Sequence, residues 1–260
     1  MAASKVPAAH STLRILSYLA GRGAPVAAAS IAGALELPRS SVYHLLRVME
    51  DQGFVVWLPE EHLYGLGVAA FELSSAYVRQ DPLARMGRAV LSRLVDDLGE
   101  SAHLATLHGR DVLYVLEERA PRRPSLITNV GVRIPAHRTA SGRSMLALLP
   151  RTQVRALYPS RESFAVQGDG ADRITTPSEL AAELVRTRAR GWGLETGEVT
   201  TGLDTVAVAA LDHRGLPVAS IALTFRNESG QVDDELRGRY VERLQQAAAR
   251  LSVRLYGPRD

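Results

Sequence analysis

Six side chains between residues 39 and 47 have the types and spacing to bind a polyanion: Arg39, Ser40, Ser41, Tyr43, His44 and Arg47. Arginine presents a planar fork of donors that fits phosphates and guanine edges. Short hydroxyls at a helix start can hold a phosphate together with the free backbone amides. The same stretch carries Val42, Leu45, Leu46 and Met49 at i, i+3, i+4 and i+7, the buried stripe of an amphipathic helix. The polar set then falls on the outward face, and Tyr43, His44 and Arg47 reach base edges or the far strand.

Little else in the chain has catalytic spacing. Ser141-Gly142-Arg143-Ser144 lacks the Gly-x-Ser-x-Gly pattern of a nucleophile elbow. His103, His108, His137 and His213 show no metal-ligand spacing and read as turn and core histidines. There is no phosphate-binding glycine loop, and no cysteine to form a disulfide, a thiolate metal site or a nucleophile. No enzyme activity, cofactor or metal is expected.

The elements around residues 39–47 explain how the polar face is presented. Residues 1–10 read as a loose tail, and Leu13, Leu16, Tyr18 and Leu19 mark a helix over 11–20. After Gly21, Gly23 and Pro25 comes a short alanine-rich helix, 27–35, then Glu36-Leu37-Pro38 and the helix 39–52. Gly53 closes it, and the β-rich segments 54–57 and 62–66 form a small hairpin across Pro59–His62. Helix, helix, helix, hairpin is the order of a winged helix-turn-helix, and it makes double-stranded DNA the expected partner. The basic residues of this part (Lys5, Arg14, Arg22, Arg39, Arg47) are matched in number by the acidic ones (Glu36, Glu50, Asp51, Glu60, Glu61). Affinity is therefore expected to rest on few contacts per subunit and on dimer avidity.

A helix over 67–80 follows, with Leu66, Ala70, Leu73 and Tyr77 on an apolar face beside Phe71 and Val78. That face suits burial against a second chain. Asp81-Pro82 marks a boundary, so three parts are expected: 1–66 a DNA-binding domain, 67–81 a linker and dimerisation helix, and 82–260 a second domain. The second domain reads as α+β: a helix over 83–98, a hairpin from strands 101–107 and 112–118, and a strand at 126–130. Helices at 141–149 and 178–190, a hairpin from 206–211 and 216–225, and a last helix over 232–256 complete it.

Composition is compatible with all of this. The chain has 260 residues, 46% hydrophobic and 23% charged, with a net charge of +3 and a basic excess made of arginine, Lys5 being the only lysine. No apolar run reaches the roughly 18 residues of a membrane span, and no signal peptide is evident at the start, so a cytoplasmic protein with no membrane partner is expected.

Several segments together resemble the IclR family of bacterial transcription regulators. They are Leu37-Pro38-Arg39-Ser40-Ser41-Val42-Tyr43-His44-Leu45-Leu46-Arg47, Gly53-Phe54-Val55 and Tyr64-Gly65-Leu66-Gly67. The second domain adds Gly131-Val132-Arg133-Ile134-Pro135-Ala136-His137-Arg138-Thr139-Ala140-Ser141-Gly142-Arg143 and Arg190-Gly191-Trp192. The similarity runs in order over residues 8–256.

The resemblance implies a winged helix, a dimerising linker helix and a GAF-like effector domain. It also implies a homodimer or dimer of dimers that responds to a small organic acid or aromatic metabolite, most commonly as a repressor. A regulator that senses nothing is the alternative. Carried over by position, the effector site falls on Leu126, Ile134, Ala140, Ser141, Glu195, Thr205, Ala222 and Thr224. Residues 139–142 would open a helix whose amides can hold a carboxylate, Thr205 and Thr224 would supply hydroxyls, and an anionic effector must avoid Glu195 or use it through a hydroxyl or amine. Two departures stand out: His44 where many relatives carry arginine, and an acidic stretch reduced to Glu195-Thr196-Gly197-Glu198.

Overall fold

The computed structural model describes residues 5–80, 82–121, 130–164, 174–227 and 234–257, with only the backbone for 77–80. It divides into two compact units, Met1–Gln80 and Asp81–Asp260.

The first unit runs α1 (Pro7–Ala20), α2 (Ala28–Leu35), α3 (Arg39–Asp51), β1 (Val55–Leu58), β2 (Leu63–Leu66) and α4 (Val68–Gln80). Helix α1 starts ahead of the expected residue 11, because Pro7 sits in its first turn, where the missing N–H costs nothing. The core is the stripe from each helix: Ile15 and Leu19, Ile31 and Ala32, then Val42, Leu46 and Met49, closed by Val55. Glu36 ends α2 in the left-handed region (φ 54°), and the Leu37 amide returns to the Ala32 carbonyl at 3.0 Å. That tight turn fixes α3 against α2. The wing is an antiparallel pair, Val55 opposite Leu66, extended by a bridge between Val26 and Tyr64.

The second unit begins with α5 (Pro82–Leu98) and the strands β3 (Ser101–His108), β4 (Asp111–Glu118) and β5 (Arg133–Pro135). It continues with α6 (Ala140–Leu146), α7 (Arg151–Leu157), α8 (Pro177–Arg190), β6 (Gly193–Thr196), β7 (Leu203–Leu211), β8 (Pro217–Arg226) and α9 (Asp234–Tyr256). The six strands form one antiparallel sheet in the order β5-β4-β3-β8-β7-β6. Strands β5 and β6 and helix α7 are additions to the expected elements. The expected strand at 126–130 lies, except for Val130, outside the described residues.

Alternation along the strands sorts residues to two covered faces. Leu104 of β3 reaches toward Gly87 of α5, and Phe225 of β8 stacks on Tyr240 of α9 at 5.0 Å. On the other face α6 lies on small residues: Ala140 clusters with Ala207 and Ala222, and the Ser144 and Ser220 hydroxyls meet at 2.9 Å. A second cluster, including Tyr114, Met145, Leu146 and Leu180, joins α6 to β4 and α8.

Candidate functional site

On α3 the burial is one-sided. Val42, Leu46 and Met49 are sealed in, while Arg39, Ser40, Ser41, Tyr43, His44 and Arg47 are all exposed. Tyr43 keeps 54% of its surface accessible although it is aromatic. Val48 joins that face at 59% exposure. The sequence reading passed over it because valine was counted by hydropathy alone, yet a methyl-bearing side chain one turn past His44 suits contact with a thymine methyl.

Two other arginines of the winged helix are tied into the fold. Arg14 Nη2 donates to the Leu35 carbonyl at 2.9 Å, and Arg22 lies over the Tyr18 ring at 4.5 Å. Arg39 and Arg47 thus supply the positive charge of the outward face.

The second unit brings together a different set. Strand register aligns Glu195, Thr205, Thr224 and Ser101 across β6, β7, β8 and β3, and aligns Gly193, Ala207, Ala222 and His103 in the next row but one. Ala140, Glu195, Thr205, Ala222 and Thr224 surround one small cavity between α6 and the sheet. Its volume is about 10 Å³, room for about one water.

Ser141 is buried but does not line the cavity; its hydroxyl lies beside that of Tyr114. Ile134 is likewise placed elsewhere, in the cluster with Val112 and Phe164. Leu126 lies outside the described residues. The first-turn amide of Gly142 is occupied by its own cap, the Thr139 hydroxyl, at 2.9 Å. The expectation that the turn's amides stand ready for a carboxylate is reduced accordingly.

Four lining residues escaped the sequence reading: His103, Tyr114, Thr139 and Val199. His103 is a core histidine as expected, but it faces the cavity. Burial lowers its pKa to about 4 against the pull of Glu117, so it is uncharged at neutral pH. Burial, with the nearby Glu195 charge, also holds the Tyr114 hydroxyl protonated well above its usual range.

Glu195 is the cavity's one carboxylate. Burial raises its pKa, against amides of Val199 and Glu198 and the Thr205 hydroxyl, which favour the charged form. The Val199 amide donates to Glu195 Oε1 at 2.9 Å, and the Thr205 and Thr224 hydroxyls are 3.1 Å apart. Glu198 is drawn off by Arg143, whose guanidinium also donates to the carbonyls of His137 and Leu194. The cavity is therefore a hydroxyl-lined pocket, apolar on the alanine side, with one weakly acidic carboxyl.

Two close approaches put α6 there. A Cβ on Gly142 would sit 2.1 Å from the Ala136 carbonyl oxygen, and one on Gly193 would sit 2.1 Å from that of Ala140. Only glycine lets the helix start lie directly on β6.

An outward polar helix on a winged helix-turn-helix, and a separate helix-covered antiparallel sheet, define a two-part DNA-binding regulator. The sequence models agree: the IclR helix-turn-helix domain matches residues 11–59, and the bacterial transcriptional regulator IclR C-terminal domain matches 75–253. The chain belongs to the IclR family and is a DNA-binding transcription regulator. It is 34% identical over 218 residues to the probable transcriptional regulator SauR of Cupriavidus necator, covering 83% of this chain and 84% of SauR. The fold matches that of an IclR regulator from Alicyclobacillus acidocaldarius (TM-score 0.82, 22% identity, 96% and 99% of the two chains). It also matches an IclR homologue from Microbacterium hydrocarbonoxydans solved with 4-hydroxybenzoate (TM-score 0.76, 20% identity, 95% and 98%). Among the described residues no helix is long and apolar enough to cross a membrane.

Proposed function

We propose that the protein is an effector-controlled repressor: α3 reads operator DNA, and a small organic carboxylic acid, aliphatic or aromatic, enters between α6 and the sheet and releases it. The observation that carries this reading is the row of Glu195, Thr205 and Thr224 closed beneath Ala140, a set of polar groups converging on one cavity. These groups bond to one another and to the Val199 amide, and a few convergent polar groups at one cavity are what a ligand can engage by exchanging those bonds for its own. With room for about one water, the cavity must open to admit an effector, and the rigid seat of α6 on β6 makes that opening move α6 as a whole. Ala140, Glu195, Thr205, Ala222 and Thr224, with Tyr114 and His103, form the binding set of this proposal; Ser141 supports it from behind.

The three-part division at 1–66, 67–81 and 82–260 belongs to the same proposal. Helix α4 leaves Val68, Phe71 and Leu73 at least 66% exposed. Single exposed apolar residues are ordinary, but three on one helix mark a contact surface, and a second copy is the occupant that a two-headed DNA reader requires. Sedimentation equilibrium checks whether a dimer or a dimer of dimers forms.

The deciding experiment is fluorescence anisotropy on the DNA upstream of the protein's own gene, with a panel of aliphatic and aromatic carboxylates that includes 4-hydroxybenzoate. An active acid should lower operator affinity. Thr224→Val should weaken that acid's effect by about 1 kcal/mol, roughly fivefold, through the lost hydroxyl, and leave ligand-free DNA binding unchanged. The near-closed cavity favours one rival, a regulator that senses nothing. If no acid shifts either operator affinity or thermal stability, that rival stands.

Glu195 gives the reading a pH signature. A carboxylate ligand placed beside it disfavours its charged form further, so binding takes up a proton. The raised pKa means this proton is already present at low pH and must be acquired as pH rises through the folded value. His103 and Tyr114 stay neutral there, so Glu195 is the titrating group among the residues that line the cavity. Affinity for the acid is expected to tighten as pH falls from 8 toward the carboxylate range, by up to about tenfold per unit, and Glu195→Gln should flatten the profile. A wild-type profile that is flat over that range, above the ligand's own pKa, would remove Glu195 from the site.

A further inference from the structure

A much larger cavity, about 470 Å³, lies between α7 and α8. Its floor is apolar: Val154 from α7, then Leu180, Ala181 and Leu184 from α8. Its rim is basic, with Arg151 and Arg155 from α7 and Arg188 from α8, and no acidic residue lines it.

Several other arginines of this unit are held by carboxylates. On α8 itself, Arg186 and Arg190 both pair with Glu183, at 2.8 Å and 2.7 Å. Arg143 pairs with Glu198, and Arg119 with Glu117. Arg151, Arg155 and Arg188 are exposed, and among the described residues none of them forms an ion pair. Arg151 and Arg155 stand one turn apart on one short helix, where like charges repel. Three guanidiniums with no ion pair among the described residues, set above a low-dielectric floor, create a positive potential that favours an anion.

The dimensions select the kind of anion. Helix α7 has seven residues, about 10 Å at 1.5 Å per residue. That length fits one ring or a chain of several carbons, and the volume lies within the usual range for small-molecule sites. No residue of α7 is buried, so an occupant would supply contacts that the helix lacks.

We propose that the α7–α8 groove is a second small-molecule site, separate from the cavity under α6, which takes an amphiphilic carboxylate: an apolar body on Leu180, Leu184 and Val154, and the carboxylate among Arg151, Arg155 and Arg188. The two sites share no lining residue. A metabolite acid could thus act on this regulator at a surface that the family's effector pocket does not include.

Calorimetric titration of the full chain with octanoate tests this, with acetate and octanol as controls that each lack one half of the ligand. Saturable octanoate binding is expected, with acetate and octanol each weaker by roughly tenfold. The combined Arg151→Gln, Arg155→Gln and Arg188→Gln variant should weaken octanoate by roughly fivefold or more at low salt, since each exposed pair contributes modestly, and the loss should shrink at high salt. These arginines are exposed, so the unfolding midpoint should not move; Arg188→Glu alone gives the same direction with a single change. Thr205→Val with Thr224→Val in the other cavity should leave octanoate binding within twofold. The proposal is overturned if octanoate shows no saturable binding at millimolar concentration, if octanol binds as well as octanoate, or if the loss follows the threonines instead of the arginines.

Discussion

Arg47→Ala is expected to weaken operator binding by about 1–3 kcal/mol for each subunit, hence about 2–6 kcal/mol for a two-headed dimer, with a loss of at least about thirtyfold in affinity. Few contacts share the task. Of the five basic residues within 1–67, Arg14 and Arg22 are held by the fold, and the acidic wing tip at Glu60 and Glu61 adds no phosphate attraction. Arg47 is exposed and has no partner among the described residues, so its removal should change stability by less than about 0.5 kcal/mol. The affinity loss is then free of a folding contribution. Anisotropy at two salt concentrations tells which role the side chain has. A phosphate contact lowers the salt slope by about 0.9 per subunit, whereas a base contact keeps the slope and relaxes sequence preference. Wild-type affinity in the variant would show that α3 does not read through this residue.

Gly193→Ala is expected to lower the stability of the second unit by about 3 kcal/mol, a fall of about 6–12 °C in its melting transition. The new Cβ would stand 2.1 Å from the Ala140 carbonyl oxygen and 3.0 Å from the Ser144 amide. Both neighbours are backbone, so no flexible side chain can move aside. Relief requires α6 to lift from β6, which would also open the cavity under Ala140 and alter the response to an effector acid. Gly33→Ala is the matching control. It lies in α2 with nothing within 4 Å of the added atom, so about 0.5–1 kcal/mol of stabilisation is expected. Calorimetry that resolves the two units would separate the effects, and an unchanged second-unit transition in Gly193→Ala would mean that α6 has room the structure does not show.

How much was legible in the sequence depended on how local the signal was. The stripe of Val42, Leu46 and Met49 is written at helical spacing, and it fixes which residues of α3 face outward without knowledge of any other element. The hairpin β3–β4 was legible for a similar reason: two short β-rich runs flank a local turn signal at Gly109-Arg110, whose glycine adopts φ 63°. Strands β5 and β6 are three and four residues long, too short to show a period. Helix α7 has seven residues and only Val154 and Leu157, both half-buried, on its inward side, too few to show a period.

The residues of the proposed effector site divide along the same line. Thr205 and Thr224 were reached through a family resemblance, and their meeting at 3.1 Å follows from the register of β7 on β8. His103 and Tyr114 come to the same cavity only because β3 lies between β4 and β8 and α6 covers that face. A lone histidine in a strand gives no hint of this. Ile134 reads as a pocket residue by position, yet its strand is at the sheet edge and turns it into the neighbouring core.

By itself, then, the sequence determined the elements whose apolar period is local and the polar face of α3. The tertiary structure decided which strands are neighbours, that Gly193 lets α6 rest directly on β6, that Glu195 is buried as a weak acid, and that three arginines, without an ion-pair partner among the described residues, gather above an apolar groove. The physical reason is range. Helical and strand periods are set by neighbours a few residues apart, whereas burial, pKa and cavity shape are set by groups brought together from distant parts of the chain.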